Sequence, residues 1–136
     1  MLDTHAWLWT LDGTAGALTK PACRVIDRAA AAGCLFVSDI SFWEVAMLVA
    51  QGRLELASDA TLWLQRAALA PGIRLVPLTR DVLIESTRLA GIPHGDPADR
   101  MLIAQAQLIG ASLLTCDKGI VAYAARTPGV PVCDAR

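Results

Sequence analysis

Apolar residues along the chain fall into two alternating patterns, short runs of strand length and longer stretches that repeat at helical spacing. Met1 to Asp3 reads as the end of a short first strand, and His5 to Leu11 carries apolar residues on nearly every side, as a buried helix does. Gly13 to Gly16 make a loop. Pro21 stands near the start of a helix in which Val25, Ile26 and Ala29 recur at helical spacing, and Gly33 is placed to end it in the left-handed conformation. Cys34 to Val37 is the predicted second strand. A helix from Ser38 or Ser41 to Gln51 precedes Gly52, and another runs from Asp59 to Leu69 before Pro71-Gly72 turns the chain. Leu75 to Leu78 predicts a third strand. Thr79 caps a helix holding Val82, Leu83 and Leu89, after which Gly91, Pro93 and Gly95 mark an irregular loop. Asp96, Pro97, Ala98 and Asp99 then read as N-cap, N1, N2 and N3 of a helix carrying Met101, Leu102, Ala104, Gln105 and Leu108, with Gly110 as its stop. Ser112 to Cys116 is a buried strand.

Strands separated by helices, with no two-residue hairpin turn, predict a mostly parallel sheet covered by helices on both faces. Ligands of such sheets bind beyond the carboxyl ends of the strands. The chain has 136 residues, 54% of them apolar and 18% charged, with no repeat or linker, so one α/β domain over residues 1–136 is expected. No apolar run approaches bilayer length, and Asp3 and His5 interrupt the place where a secretory leader would be continuously apolar. A cytoplasmic protein is the expectation. Cys23, Cys34, Cys116 and Cys133 form no Cys-x-x-Cys pair, which gives zinc no support, and their apolar surroundings predict buried reduced thiols. With 12 Lys+Arg against 13 Asp+Glu there is no basic footprint, so a nucleic acid must be held by a local patch and by metal.

The carboxyl-end rule makes the acids worth placing. Asp3 ends the first strand, Asp117 follows the strand Ser112 to Cys116, Glu44 lies near the start of the helix after the second strand, and Asp99 lies in the first turn of the helix begun at Asp96. Like charges about 4 Å apart repel by about 4 kcal/mol at an effective dielectric near 20, so such a cluster takes up protons or binds a cation. Hard oxygen donors favour Mg²⁺ or Mn²⁺, which can activate water and neutralise phosphate charge. Each acid also has a structural reading. Asp99 can complete a capping arrangement with Asp96, Glu44 a capping box begun by Ser41, Asp3 can cap the helix after it, and Asp117 can be a turn residue before Lys118-Gly119.

Four segments together carry a resemblance: Leu-Asp-Thr-His at Leu2 to His5, Ser-Asp-Ile-Ser-Phe-Trp-Glu at Ser38 to Glu44, His-Gly-Asp-Pro-Ala-Asp-Arg at His94 to Arg100, and Leu-Thr-Cys-Asp at Leu114 to Asp117. In that order they resemble a PIN domain, and more narrowly the VapC-type toxins of bacterial toxin–antitoxin pairs. Gly52 to Leu54 and Ile103 to Ala106 extend the likeness over nearly the whole chain. The resemblance implies a three-layer α/β/α sandwich with a mostly parallel central sheet and a Mg²⁺- or Mn²⁺-dependent endoribonuclease. It implies Asp3, Glu44, Asp99 and Asp117 as the catalytic and metal-holding acids, with Asp96 and Thr115 in support. In the implied mechanism Asp3, Asp99 and Asp117 hold one or two cations while Glu44 ligates or orients the water that attacks an RNA phosphodiester. A VapB-like antitoxin and a toxin homodimer are implied as partners.

Arg100 and Lys118 follow two of the acids and are candidates for phosphate contact or for pairing with neighbours; His5 and His94 are candidates for proton donors or loop hydrogen bonders. Trp7, Trp9, Trp43 and Trp63 lie in helical segments, either lining a groove for an antitoxin helix or packing the core. Only Met1 and Leu2 precede Asp3 where the family carries several apolar residues, which predicts a truncated first strand and a loosened Asp3. Two rivals stand beside this reading. Leu11-Asp12-Gly13-Thr14 resembles half of an aspartate-nucleophile phosphatase motif, but Thr10 occupies the nucleophile's place. The other is a catalytically silent PIN-like module that binds RNA or protein, its acids kept as caps.

Overall fold

A computed structural model describes residues 1–14, 16–91 and 96–136. Its helices are α1 (Thr4–Asp12), α2 (Lys20–Ala31), α3 (Asp39–Ala50), α4 (Ala60–Ala68), α5 (Arg80–Ser86), α6 (Pro97–Leu108) and α7 (Lys118–Arg126). Its strands are β1 (Leu35–Ser38), β2 (Ile73–Val76), β3 (Leu113–Thr115) and β4 (Val132–Asp134). β1 pairs with β2 and β3 with β4, both in parallel. Leu2 bridges in parallel to Val37 and to Leu114, which gives the lateral order β2, β1, Leu2, β3, β4.

Leu2 thus joins the two halves of the sheet as a bridging residue, and Asp3 beside it is not loosened. Leu2 N donates to Phe36 O at 2.9 Å, Asp3 N to Leu114 O at 3.0 Å, and Leu114 N to Met1 O at 2.8 Å. Pairing on both edges holds this segment in the sheet.

Side chains alternate across the sheet and divide the core in two. Leu2, Leu35, Val37 and Leu114 pack with Trp7, Ile26 and Val45 on one face. Met1, Phe36 and Leu113 pack with Leu102, Ile103, Ile120 and Tyr123 on the other. Helices therefore cover both faces, the three-layer α/β/α arrangement. Trp7 is fully buried, its ring 4.8 Å from Phe42 and 5.9 Å from Trp63, so these aromatics belong to the core, whereas Trp43 is exposed.

Several sequence expectations shift. The third strand is Ile73–Val76 rather than Leu75 to Leu78, because Pro77 has no N–H with which to continue a ladder. The helix capped by Thr79 ends at Ser86, leaving Leu89 outside it. α3 is capped by Ser38, which accepts from Ile40 N, so Ser41 starts no capping box. The cysteines are free, but Cys23 and Cys34 are exposed and Cys116 and Cys133 half-buried, against the expectation of burial. α7 and β4 are elements the sequence reading did not contain. Among the described residues no helix is long and apolar enough to cross a membrane.

One buried polar side chain fixes the helix that matters most. Gln105 is fully buried, and its Nε2 donates to Pro77 O at 3.0 Å, tying α6 to the end of β2. Leaving that carbonyl unpaired would cost roughly 1–3 kcal/mol, so the bond holds α6 in one position and with it the acid in its first turn.

Candidate active site

Asp3, Glu44, Asp96, Asp99 and Asp117 line one cleft of about 150 Å³, together with Thr4, His5, Met47, Leu48, Arg53 and Leu102. The carboxyl ends of Leu2, β1 and β3 feed it, and α6 closes it with its first turn.

Three of these acids are N-caps. Asp3 accepts from Ala6 N at 2.6 Å, Asp96 from Ala98 N at 2.9 Å and Asp117 from Ile120 N at 2.8 Å, each through Oδ1. The capping and functional readings are therefore compatible, because an ionised carboxylate has about four acceptor sites and a cap uses one. Asp12, the acid of the phosphatase-like segment, ends α1 beside Gly13 in the left-handed conformation (φ 61°) and does not line the cleft.

Hydroxyls fix Asp3 and Glu44. Thr115 is fully buried; its Oγ1 donates to Asp3 Oδ2 and accepts from Asp117 N at 2.9 Å, so one side chain orients Asp3 and the segment carrying Asp117. On the opposite wall Thr4 Oγ1 donates to Glu44 Oε2 at 2.6 Å and lies 3.0 Å from Ser41 Oγ. Thr4 was not singled out from the sequence and Ser41 only as the start of a capping box for Glu44, although both sit inside the segments that carry the resemblance. Replacing Thr115 with valine removes the donor to a buried carboxylate at nearly constant volume. Thr115→Val is expected to lower stability by roughly 1–3 kcal/mol while Asp3 is ionised, an effect that shrinks as falling pH protonates Asp3, read from denaturant unfolding at several pH values.

The electrostatics are those of crowded like charges. Burial raises the Asp3 carboxyl above its ordinary range against the hydrogen bonds from Thr115 and Ala6. Burial also raises Glu44, with Asp96 and Asp3 adding to the effect and Thr4 and His5 opposing it. Asp99 is pushed up to about 7, first by burial and then by repulsion from Asp96, Asp117, Glu44 and Asp3. Among the described residues, His5 and Arg53 are the basic side chains that line the cleft with these five acids.

The four acids singled out from the sequence are brought to one cleft, but not into a closed cage. Among the described residues no three His, Cys, Asp or Glu side chains stand close enough together to hold a metal ion as they are set. The donor set nevertheless fits a divalent cation: hard oxygens, mutually repelling, with the Asp99 carboxyl pushed up to about 7 by burial first and then by its neighbours. Arg100 and Lys118 do not line the cleft, whereas the exposed Arg53, just past the left-handed Gly52 (φ 67°), does. The signal for Arg53 was the Gly52 to Leu54 segment, to which no role had been attached. His5 lines the cleft; His94 lies outside the described residues.

The PIN domain family matches residues 1–126. Ribonuclease VapC22 of Mycobacterium tuberculosis (strain ATCC 25618 / H37Rv) is 35% identical over 119 residues, which is 87% of this chain and 86% of that protein. No solved structure matches significantly.

Proposed function

Because the chain belongs to the PIN domain family, and within it to the VapC type, we propose that it is a divalent-metal-dependent endoribonuclease and the toxin of a toxin–antitoxin pair. The observation that carries the reading is the meeting of Asp3, Glu44, Asp99 and Asp117, drawn from four separate segments, on the walls of one cleft.

In this reading Asp3, Asp99 and Asp117 hold the cation, with Glu44 completing the set and Asp96 at its rim. A bound divalent ion supplies Lewis acidity, offsetting phosphate charge and lowering the pKa of water. Thr115 acts as a positioning residue for Asp3. Glu44, its Oε2 fixed by Thr4, orients the attacking water through its other oxygen and takes up one of its protons. The water oxygen bonds to phosphorus in line with the departing ribose oxygen, which leaves with a proton from solvent. Arg53, at the mouth, pairs with a phosphate oxygen and offsets part of the acids' repulsion of RNA.

The VapC-type relationship supports a VapB-like antitoxin that presents a basic side chain to the acids, and a homodimer. Ile40, Trp43, Leu78, Ala98 and Met101 line an apolar groove of about 480 Å³ between α3 and α6, a surface of the kind partners occupy. Residues 1–136 are read as a single PIN domain, and four free thiols suit a reducing cytoplasm.

The test is incubation of antitoxin-free protein with total RNA and Mn²⁺ or Mg²⁺, beside Asp3→Asn, with products mapped by sequencing. Discrete metal-dependent products, absent with Asp3→Asn and with chelator, are expected. Products that persist in Asp3→Asn would point to a contaminating nuclease. No cleavage of any RNA would leave the acids as helix caps in a binding module.

A further inference from the structure

A second cavity, of about 210 Å³, shares a wall with the acid cleft. Asp3, His5 and Asp117 border both, and Trp9 and Cys116 complete the second. His5 and Trp9 are four residues apart on α1, so their rings lie on one helix face; the centroids are 5.9 Å apart and the planes 48° from parallel. The helix is anchored by Asp3 itself, its N-cap. The ring pair therefore sits on the helix whose N-cap is one of the cleft's acids.

Consider what can enter. Asp3 and Asp117 on the shared wall are the acids that hold the cation and the phosphate in this reading, so the neighbouring cavity is left to the group beside that phosphate. The volume lies below the roughly 300–1,000 Å³ of sites for drug-sized ligands, and suits one flat ring. Trp9 is half-buried, which fixes its ring while leaving part of it open to the cavity. Unstacked RNA bases are bound on aromatic faces of this kind, without need of sequence readout.

We propose that Trp9, with His5 beside it, is a stacking platform for the nucleobase next to the scissile phosphate. The assignment rests on the ribonuclease reading for its orientation: the phosphate lies at the acids and the adjacent base in the neighbouring cavity. It gives a positioning role to a tryptophan that neither the cores nor the acid cleft use.

The test is binding, with Mn²⁺ present, of a 5′-labelled single-stranded RNA of random sequence and of an abasic ribose-phosphate chain of the same length. Both are titrated by fluorescence anisotropy into the full chain carrying Glu44→Gln, which removes the group that takes the water's proton, and so spares the RNA, while leaving the three aspartates to hold Mn²⁺. Trp9 is kept, or replaced as Trp9→Leu, which retains apolar bulk without a π face, or as Trp9→Phe, which retains the face. Trp9→Leu is expected to weaken RNA binding roughly 5- to 100-fold, the range found for loss of one base–aromatic stack, and to leave the abasic chain unaffected. Trp9→Phe should recover most of the affinity. Equal losses on both chains, or no loss on RNA, would overturn the assignment. So would unchanged RNA binding with weakened capture of a protein inhibitor, which would give the ring pair to a protein partner. Failure of the ribonuclease reading appears elsewhere, as absence of Mn²⁺-dependent cleavage by the unsubstituted chain. Base-dependent binding in that case would keep Trp9 as a base platform in a protein that does not cut.

Discussion

Asp99→Asn is expected to lower the rate of RNA cleavage by at least about 100-fold, a loss that even removing a metal ligand's supporting partner can reach, while making the metal-free protein more stable at about pH 8. The two effects have one cause. Asp99 is partly buried among Asp96, Asp117, Glu44 and Asp3, and its carboxyl is pushed up to about 7. Above that pH the folded protein must carry another negative charge in a crowded place, and asparagine removes the charge while nearly preserving shape. After discounting for solvent screening of a partly exposed group, a gain of about 1–2 kcal/mol in unfolding free energy is expected. Steady-state cleavage and chemical denaturation of the same preparation read both. A variant that lost activity and stability together would make Asp99 an ordinary structural residue.

The second large effect is on pH. Asp99 binds its proton more tightly in the folded chain, near 7, than in the unfolded chain, near 3.9, so folding takes up a proton between those values. The stabilisation is fully present below about pH 4 and is lost as pH rises through about 7. Asp3 and Glu44, raised by burial, act with the same sign. Asp134, held below its ordinary range by Arg136, acts oppositely from a fully exposed position. Metal-free protein is therefore expected to unfold at lower temperature at about pH 8 than at about pH 5.5, and saturating Mn²⁺ should remove most of the difference. Thermal unfolding across that range, with and without Mn²⁺, measures it. A metal-free melting temperature that rose steadily with pH would show that the cleft's carboxylates do not repel one another as described.

Much of this arrangement was readable where local chemistry is strong. Asp96-Pro97-Ala98-Asp99 marks the start of α6 to the residue, because a capping acid followed by proline fits few other conformations. Gly33, Gly52 and Gly110 mark helix ends for the same kind of reason, being left-handed at φ 65°, 67° and 66°. What failed depended on tertiary context. α7 begins at Asp117, whose sequence surroundings suit a turn as well as a cap, and β4 is three residues after Pro131, made a strand only by pairing with β3. Cys23 sits in an apolar stretch but on the outward face of α2, which composition does not distinguish from the inward one.

The acids show the same division. Their carboxyl-end placement followed from a parallel sheet, and the cleft they line agrees with it. The hydroxyls of Thr4 and Ser41, the orientation of Arg53 and the Trp9 cavity did not follow, because each depends on which faces of α1 and α3 meet. Sequence order alone leaves that open.

The most direct measurement is a Mn²⁺ titration of metal-free protein at about pH 8, followed by thermal unfolding, for the native chain and Asp99→Asn together. The account predicts saturable stabilisation of the native chain, about 2.7 kcal/mol when free Mn²⁺ reaches about one hundred times its Kd, and little or none in the variant. Stabilisation of equal size in both, or in neither, would contradict the claim that these carboxylates work together as a cation site.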